Sequence, residues 1–235
     1  MTSSQTLPED TGRRFVRGVH ETLLGAADAL GDLDRRAGDG DFGTNVRTAM
    51  KLVADRLETE EPTTYRGWLT ALYMGWLGVG GTSGPLFGMF FRDLAKAAAT
   101  GGEGASADGG AGQDAVPTLS QFAEALAAGQ ATVQKYGEAE VGDKTMVDAL
   151  APAVAALREA VEAGTAADEA LAAAEQAAVE AARATADTTA RRGRASYVGD
   201  VAKGVIDPGA AAMALVIGAA RAAVGEGDVD TAWLG

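Results

Sequence analysis

Three aspartates, Asp34, Asp39 and Asp41, fall within eight positions of one another in a glycine-rich stretch of the sequence. Like charges this close repel, and each carboxylate raises the pKa of its neighbour unless a cation lies between them. Hard divalent cations take oxygen ligands, and Mg²⁺ usually combines a few carboxylates with water and substrate phosphates. The stretch therefore predicts a site where carboxylates, Mg²⁺ and phosphate meet.

The glycines of this stretch, at positions 38, 40 and 43, support the same hypothesis. Glycine allows backbone turns that other residues avoid and lets the chain approach a ligand closely. The sequence predicts a helix from Thr44 onward, and its first N–H groups would favour an anion at the same place.

Two better-known motifs overlap the stretch, and neither fits. The spacing G-x-G-x-x-G needs a preceding hydrophobic strand, whereas residues 32–36 are mostly charged. An EF-hand loop counted from Asp39 places Met50 where a bidentate glutamate belongs. The remaining alternative is a solvated acidic turn between two helices.

A second glycine-rich loop, residues 78–85, contains Thr82 and Ser83 and ends in Pro85. Proline suits the first position of a helix, with Ser83 or Gly84 as the N-cap. A loop of this composition that opens a helix offers amides and hydroxyls to phosphate oxygens. An ordinary turn between helices is the alternative.

A near match to the P-loop lies at residues 137–145, but Asp143 separates the second glycine from Lys144. The P-loop needs its lysine directly after that glycine and a strand before the loop, so we reject it. The segment instead predicts a loop that enters a helix containing Pro152.

A basic cluster, residues 191–194, follows a predicted helix from Ala166 to Arg191. An arginine here could grip phosphates with two hydrogen bonds, but we expect Arg191 and Arg192 to complement the C-terminus of that helix. Further on, Asp207 is a suitable N-cap and Pro208 a suitable first residue for the last helix.

The overall composition favours an all-α, single-domain protein over residues 1–235, because 47% of the residues are hydrophobic but only 6% are aromatic. A net charge of −13 argues against a nucleic-acid partner. The absence of cysteine excludes disulfides and zinc–thiolate sites. No stretch is apolar enough to span a membrane, so we expect no membrane partner and a cytoplasmic location.

Helical spacing of apolar residues recurs along most of the chain, and the aromatic residues near Trp76 are expected in the core. Residues 100–117 are nearly all small or acidic and predict a flexible loop. Thr118 and Gln121 after it match a capping box.

Taken in order, these motifs resemble the nucleotide-binding (DhaL) subunits of dihydroxyacetone kinases. The resemblance covers nearly the whole chain and rests on the following segments: Leu33–Asp34, Gly38–Asp41, Gly80–Gly88, Gly142–Met146, Gly193–Tyr197 and Asp207–Ala210. It implies a barrel of eight antiparallel amphipathic helices with a nucleotide site at one end.

The resemblance also implies roles for particular residues. Asp34, Asp39 and Asp41 would hold a pair of Mg²⁺ ions that bridge the phosphates of ADP or ATP. Thr82 and Ser83 match the phosphate-binding loop. The remaining nucleotide-binding positions that it implies are Phe42, Gly43, Thr44, Asn45, Gly137, Met146, Arg194, Asp207, Pro208 and Gly209.

Two features depart from the family pattern. Members usually have histidine where this chain has Phe42, and phenylalanine can neither donate a hydrogen bond to phosphate nor move a proton. The glycine-rich segment 101–116 is an insertion, either a mobile flap or tolerated extra length.

The implied activity is phosphoryl transfer to dihydroxyacetone, or a similar short ketose, that a separate DhaK-like subunit holds. The donor would be a DhaM-like phosphocarrier of the phosphotransferase system, with ADP retained as cofactor, or ATP used directly. The alternatives are a non-catalytic nucleotide-binding adaptor and an ATP-dependent kinase domain for another acceptor.

Overall fold

The computed structural model describes residues 6–97, 115–192 and 203–235. These residues contain eight α-helices, two short 3₁₀ turns and no β-strand, which confirms the all-α prediction. The helices are α1 (Thr11–Ala37), α2 (Phe42–Glu60), α3 (Tyr65–Leu77), α4 (Ser83–Leu94), α5 (Leu119–Gly137), α6 (Met146–Ala163), α7 (Ala167–Ala184) and α8 (Pro208–Val224), and the 3₁₀ turns are Thr185–Asp187 and Ala232–Leu234.

The helices pack in chain order as a closed ring. Each helix contacts the next one along the chain, and α8 returns to contact α1. This arrangement is consistent with the barrel that the resemblance implied. Helix α8 is the most enclosed, because its alanines, Met213 and Ile217 are buried on nearly every side. Small side chains on α8 let its neighbours approach closely.

Local sequence signals predicted several helix ends. Thr118 and Gln121 form the expected capping box at the start of α5, and Asp207 caps α8 with Pro208 at its first position. Two starts differ slightly from the prediction. Helix α2 begins at Phe42 instead of Thr44, and α4 begins at Ser83, two residues before Pro85.

The predicted end of α7 is wrong. The helix stops at Ala184 and not at Arg191, so Arg191 and Arg192 do not complement its C-terminus. Thr185 ends the helix, because its hydroxyl donates to the carbonyl of Ala182 and accepts the N–H of Asp207 at 2.8 Å. A bond to a distant residue therefore fixes this boundary.

The aromatic residues form part of the core, as expected. Trp76 is fully buried and stacks on Phe87, with ring centroids 4.5 Å apart. Most of the predicted loop near 100–117 lies outside the described residues. None of the described helices is both long enough and apolar enough to cross a membrane.

Helices α1 and α2 meet at a glycine contact. A Cβ placed on Gly43 would lie 2.5 Å from the carbonyl oxygen of Ala27 and 2.9 Å from Cα of Gly31. Both neighbours are backbone atoms, which cannot swing aside as a side chain can. Gly43 therefore sets how closely the two helices approach.

We expect Gly43→Ala to lower the free energy of unfolding by about 1–3 kcal/mol, the usual effect of overpacking a core. Gly25→Ala is the control, because Gly25 is exposed on α1 and has open space around it. That change should raise stability by up to about 1 kcal/mol through helix propensity. Urea unfolding measures both, and equal effects would contradict the contact.

Candidate functional site

A cavity of about 400 Å³ lies where four connections between helices meet. They are the connections that leave the odd-numbered helices: α1–α2, α3–α4, α5–α6 and α7–α8. No residue from the described parts of the other three connections lines it. Because alternate connections share one end of the ring, neighbouring helices run in opposite directions.

Four helix N-termini consequently open onto this cavity. The N-cap residues of α2, α4, α6 and α8 all line it, and they are Asp41, Thr82, Thr145 and Asp207. The first turn of a helix has N–H groups without helical partners and carries a partial positive charge. The cavity can therefore receive an anion even though the whole chain carries a net charge of −13.

The four N-termini are not equivalent. Thr145 accepts the N–H of Val147, and Asp207 accepts the N–H of Ala210, so α6 and α8 cap themselves. Asp41 and Thr82 make no side-chain cap hydrogen bond. The first N–H of α2, at Phe42, instead bonds to the side chain of Asp34, so among the four starts that of α4 alone has no side-chain cap.

Most of the predicted site residues lie together on this cavity. Those that line it are Asp34, Asp39, Asp41, Phe42, Asn45, Thr82, Ser83, Gly137, Met146, Asp207, Pro208 and Gly209. Gly43 instead faces α1, as its contact with Ala27 shows, and Thr44 is exposed outside the lining. Arg194 lies outside the described residues.

Asp34 is the buried member of the three aspartates. Its Oδ2 accepts the N–H of Phe42 at 2.9 Å, which ties the end of α1 to the start of α2. Burial raises the pKa of Asp34, and the neighbouring carboxylate of Asp39 adds to that rise against the opposing hydrogen bond from Phe42. The charges of Asp34 and Asp39 are thus close enough for a cation between them to relieve their repulsion.

The aspartates do not form a closed metal cage. Among the described residues, no three acidic or histidine side chains stand close enough together to enclose an ion. A Mg²⁺ site that phosphates and water complete needs only a few protein carboxylates, and the oxygen donors here suit it chemically. Their assignment as metal ligands stays a prediction.

The glycines of the α3–α4 connection leave open space on the cavity. A Cβ at Gly80 or Gly81 would have no atom within 4 Å, so packing alone does not require glycine there. Gly81 has φ +79°, the left-handed region that glycine adopts most easily. The backbone at this point is open to a close approach by a ligand.

Part of the cavity lining is apolar. Side chains of Leu86, Val133, Ala139, Met146 and Val147 line it, beside Gly137. Phe42 contributes its ring, which lies 6.2 Å from the ring of Phe87 and is 7% exposed. The cavity therefore joins a polar part, which contains the starts of α2 and α4, to an apolar part of the kind that holds a flat ring.

Two basic residues of the cavity lining were missed from the sequence. Lys144, considered only for a P-loop, lies in the wall with its ammonium hydrogen-bonded to three backbone carbonyls. Arg192, expected at a helix end, lines the cavity with its guanidinium 3.6 Å from Glu138 and 3.9 Å from Asp143. The local sequence around Arg192 does not indicate this position. Helix α7 ends at Ala184, where Thr185 is hydrogen-bonded to the distant Asp207, and Arg192 therefore lies beyond the helix.

Among the acidic groups of the cavity, Asp207 has the most strongly shifted pKa. Burial raises its pKa to about 7, against the hydrogen bond from the N–H of Ala210. The charges of Asp148 and Asp34 add to the rise, and the ammonium of Lys144 opposes it. Near neutral pH this N-cap is therefore close to its titration midpoint.

Comparison with known proteins gives a consistent result. The family model of the DAK2 domain matches residues 36–222. The ADP-binding subunit DhaL of a PEP-dependent dihydroxyacetone kinase from Listeria innocua is 30% identical over 212 residues, which cover 90% of this chain and 94% of that protein. Human triokinase/FMN cyclase is 34% identical over 201 residues, but the chain spans only 32% of its length.

A solved structure is similar as well. The dihydroxyacetone kinase of C. freundii in complex with AMP-PNP and Mg²⁺ superimposes with a TM-score of 0.66 at 27% sequence identity. The match covers 93% of this chain and 34% of that one. The eight-helix ring is thus a portion of a larger protein in that case.

We expect Asp207→Asn to change the pH dependence of stability. A folded pKa raised from 3.8 to about 7 gives stability that is complete below pH 4 and is lost as the pH rises to about 7. Asparagine stays neutral, so stability of the variant relative to wild type should rise by up to about 1.4 kcal/mol per pH unit across that range.

Urea unfolding at a series of pH values tests this, with the exposed substitution Asp55→Asn on α2 as the control. A difference between wild type and Asp207→Asn that stays constant from pH 4 to pH 8 would contradict the raised pKa.

Proposed function

Because the chain belongs to the family of DAK2 domains, we propose that it binds ADP or ATP with Mg²⁺ and takes part in phosphoryl transfer to dihydroxyacetone or a similar short ketose. Named relatives support the nucleotide, since the Listeria innocua protein is an ADP-binding subunit. The C. freundii complex contains AMP-PNP and Mg²⁺.

The observation that carries the proposal is the meeting of four helix N-termini with three aspartates at one cavity. Helix N-termini attract phosphate, whereas carboxylates repel it unless a cation intervenes. A nucleotide bound with Mg²⁺ satisfies both groups at once. A bare anion would satisfy the helix N-termini but not the carboxylates, and a neutral metabolite would satisfy neither group.

The phosphates would lie at the starts of α2 and α4. Asn45 and the hydroxyls of Thr82 and Ser83 line the cavity there. The start of α4 has no side-chain cap, whereas Asp34 accepts the first N–H of α2. Phosphate oxygens would accept hydrogen bonds from these amides and hydroxyls. Gly80 and Gly81 leave room for the phosphates to approach the backbone.

Asp34, Asp39 and Asp41 would hold a pair of Mg²⁺ ions beside those phosphates. When bound, Mg²⁺ offsets negative charge on the transferring phosphoryl group and orients the oxygens. Asp34 is already fixed by the N–H of Phe42, so it anchors the group. Asp39 and Asp41 are exposed and line the cavity, so both can be reached by an ion bound there.

The base would occupy the apolar side between α4, α5 and α6. Leu86, Val133 and Met146 offer an apolar surface for a flat ring. Gly137 has no side chain to fill the space beside Leu86, where a Cβ would lie 3.4 Å away. Arg194 is proposed to contact the nucleotide from the segment after Arg192. Pro208 and Gly209 would close the site from the start of α8.

The chain alone supplies only part of a kinase. Its single histidine, His20, lies on α1 outside the cavity lining, so no histidine can accept the acceptor's proton here. A DhaK-like partner would bind the ketose and present its hydroxyl. A phosphocarrier of the phosphotransferase system, which would rephosphorylate retained ADP, or ATP itself would be the donor.

The presence of Phe42 favours a second candidate function, that of a nucleotide-binding adaptor or regulator without kinase activity. Its ring is buried against Phe87, at the place where the family usually has a polar histidine. A chain that binds nucleotide without transferring phosphate would act as an adaptor or regulator. Incubating the chain with MgATP, dihydroxyacetone and a DhaK-type subunit separates the two functions, because only the kinase forms the ketose phosphate.

We expect Asp39→Ala and Asp41→Ala each to abolish Mg²⁺-dependent binding of ADP while the helical fold stays nearly intact. Removing a carboxylate takes away a metal ligand but leaves the core packing untouched. Isothermal titration calorimetry with and without Mg²⁺ measures the binding, and circular dichroism measures the fold.

Asp32→Ala is the matched control for these aspartates. Asp32 lies on α1 two residues before Asp34, is half exposed, pairs with Arg35 and does not line the cavity. Its affinity for MgADP should equal that of wild type. Unchanged affinity in the Asp39 and Asp41 variants would refute the metal assignment.

We expect Phe42→His to raise the rate of phosphoryl transfer if the chain is a kinase, because imidazole can donate to a phosphate oxygen. Replacing a buried ring should lower stability by about 1–3 kcal/mol. Phe42→Leu removes the ring without adding a donor and is the control. Equal transfer rates in wild type and Phe42→His would show that this position is not catalytic here.

A further inference from the structure

Lys144 is buried in an unusual way for a lysine. It is 1% exposed, and its Nζ donates to the carbonyl oxygens of Thr185 at 2.8 Å, Thr188 at 3.3 Å and Val205 at 2.8 Å. An ammonium has three N–H donors, so a backbone carbonyl matches each one. The side chain is held on all sides by the main chain of other segments.

The three carbonyls come from the two described ends of one connection. Thr185 and Thr188 follow α7, and Val205 precedes α8. Lys144 itself lies just before α6. Its ammonium therefore joins the α5–α6 connection to both ends of the α7–α8 connection.

This arrangement carries a clear energetic cost. Lys144 has φ +62°, the left-handed region that non-glycine residues rarely adopt. Burying an ammonium away from water is also unfavourable unless hydrogen bonds compensate for it. A methionine would fill a similar volume without an ammonium to bury. The lysine thus provides directed bonds that an apolar side chain cannot supply.

The connections that the ammonium of Lys144 joins also contribute residues to the wall of the cavity. Thr145, Met146 and Val147 follow Lys144 directly, and Asp207 lies two residues beyond Val205. The two walls touch, since a Cβ on Gly209 would stand 3.5 Å from the backbone nitrogen of Met146. The starts of α6 and α8 are therefore held side by side at one face of the cavity.

We propose that Lys144 is a positioning residue that sets the spacing between the starts of α6 and α8 and thereby shapes the side of the cavity that receives the nucleoside. This role of Lys144 rests on the nucleotide site that is proposed above. Lys144 acts on the ligand through the walls and not by contact. The three hydrogen bonds described above all go to the α7–α8 connection, so we expect the starts of α2 and α4 to keep their positions without them.

Lys144→Met provides the first test. The affinity for MgADP should fall at least tenfold, because the two walls lose their common anchor. Hydrogen–deuterium exchange should speed up in residues 139–147, 185–192 and 203–210, but not in residues 42–57 or 83–94. Lys135→Met is the matched control, since Lys135 is exposed on α5 near the cavity and does not line it.

A chemical rescue keeps the test decisive if methionine at this position impairs folding. The chain has no cysteine, so Lys144→Cys carries a single thiol. Alkylation in urea with 2-bromoethylamine, followed by refolding, restores a lysine-like ammonium, whereas iodoacetamide gives a neutral amide of similar length. Affinity for MgADP should return to within about threefold of wild type only in the aminoethylated protein.

Three results would overturn the inference. The first is unchanged affinity in Lys144→Met, and the second is equal affinity in the two alkylated proteins. The third is faster exchange in every helix, which would show that Lys144 supports the whole fold and not one wall. Failure of the wild-type chain to bind MgADP would instead refute the proposed function and is seen before any variant is made.

Discussion

Four helix N-termini share one small volume, and every other feature of the site follows from that constraint. Their partial positive charges repel one another unless negative groups lie between them. The chain supplies some of that negative charge itself, through Asp207 on α8 and the three aspartates near α2. Thr145 and Asp207 cap α6 and α8, and Asp34 accepts the first N–H of α2, whereas the start of α4 has no side-chain cap. One cavity thus combines helix starts that the chain caps with its own side chains and the start of α4, which remains open to a ligand.

Local chemistry explains why so much could be predicted from the sequence. Caps such as Thr118 and Asp207 act within three or four residues, so their motifs are visible in the chain itself. The motif order that resembled a known family also places polar loops at every second connection. Since adjacent helices alternate in direction, that order alone brings the loops to one end.

The errors share a different physical origin, namely bonds between distant segments. Helix α7 ends early because Thr185 bonds to Asp207, and this moves Arg192 from a helix end to the cavity. The close packing of Gly43 against Ala27 is a second contact between separate helices that the local sequence did not reveal. The buried position of Lys144 depends on carbonyls about 40 and 60 residues away in sequence. No periodicity or capping rule reports such partners.

The alternation of helix direction also divides the molecule into an end that holds the cavity and an opposite end without it. Both flanks of segment 98–114 belong to the α4–α5 connection, whose described residues lie away from the cavity. Helix α5, with 19 residues, spans about 28 Å between the two ends. Residues inserted between α4 and α5 are therefore attached at points about one helix length from the end of the ring that holds the cavity. Evolution or an engineer can add a reporter, a tether or a whole domain there while the four N-termini keep their mutual geometry.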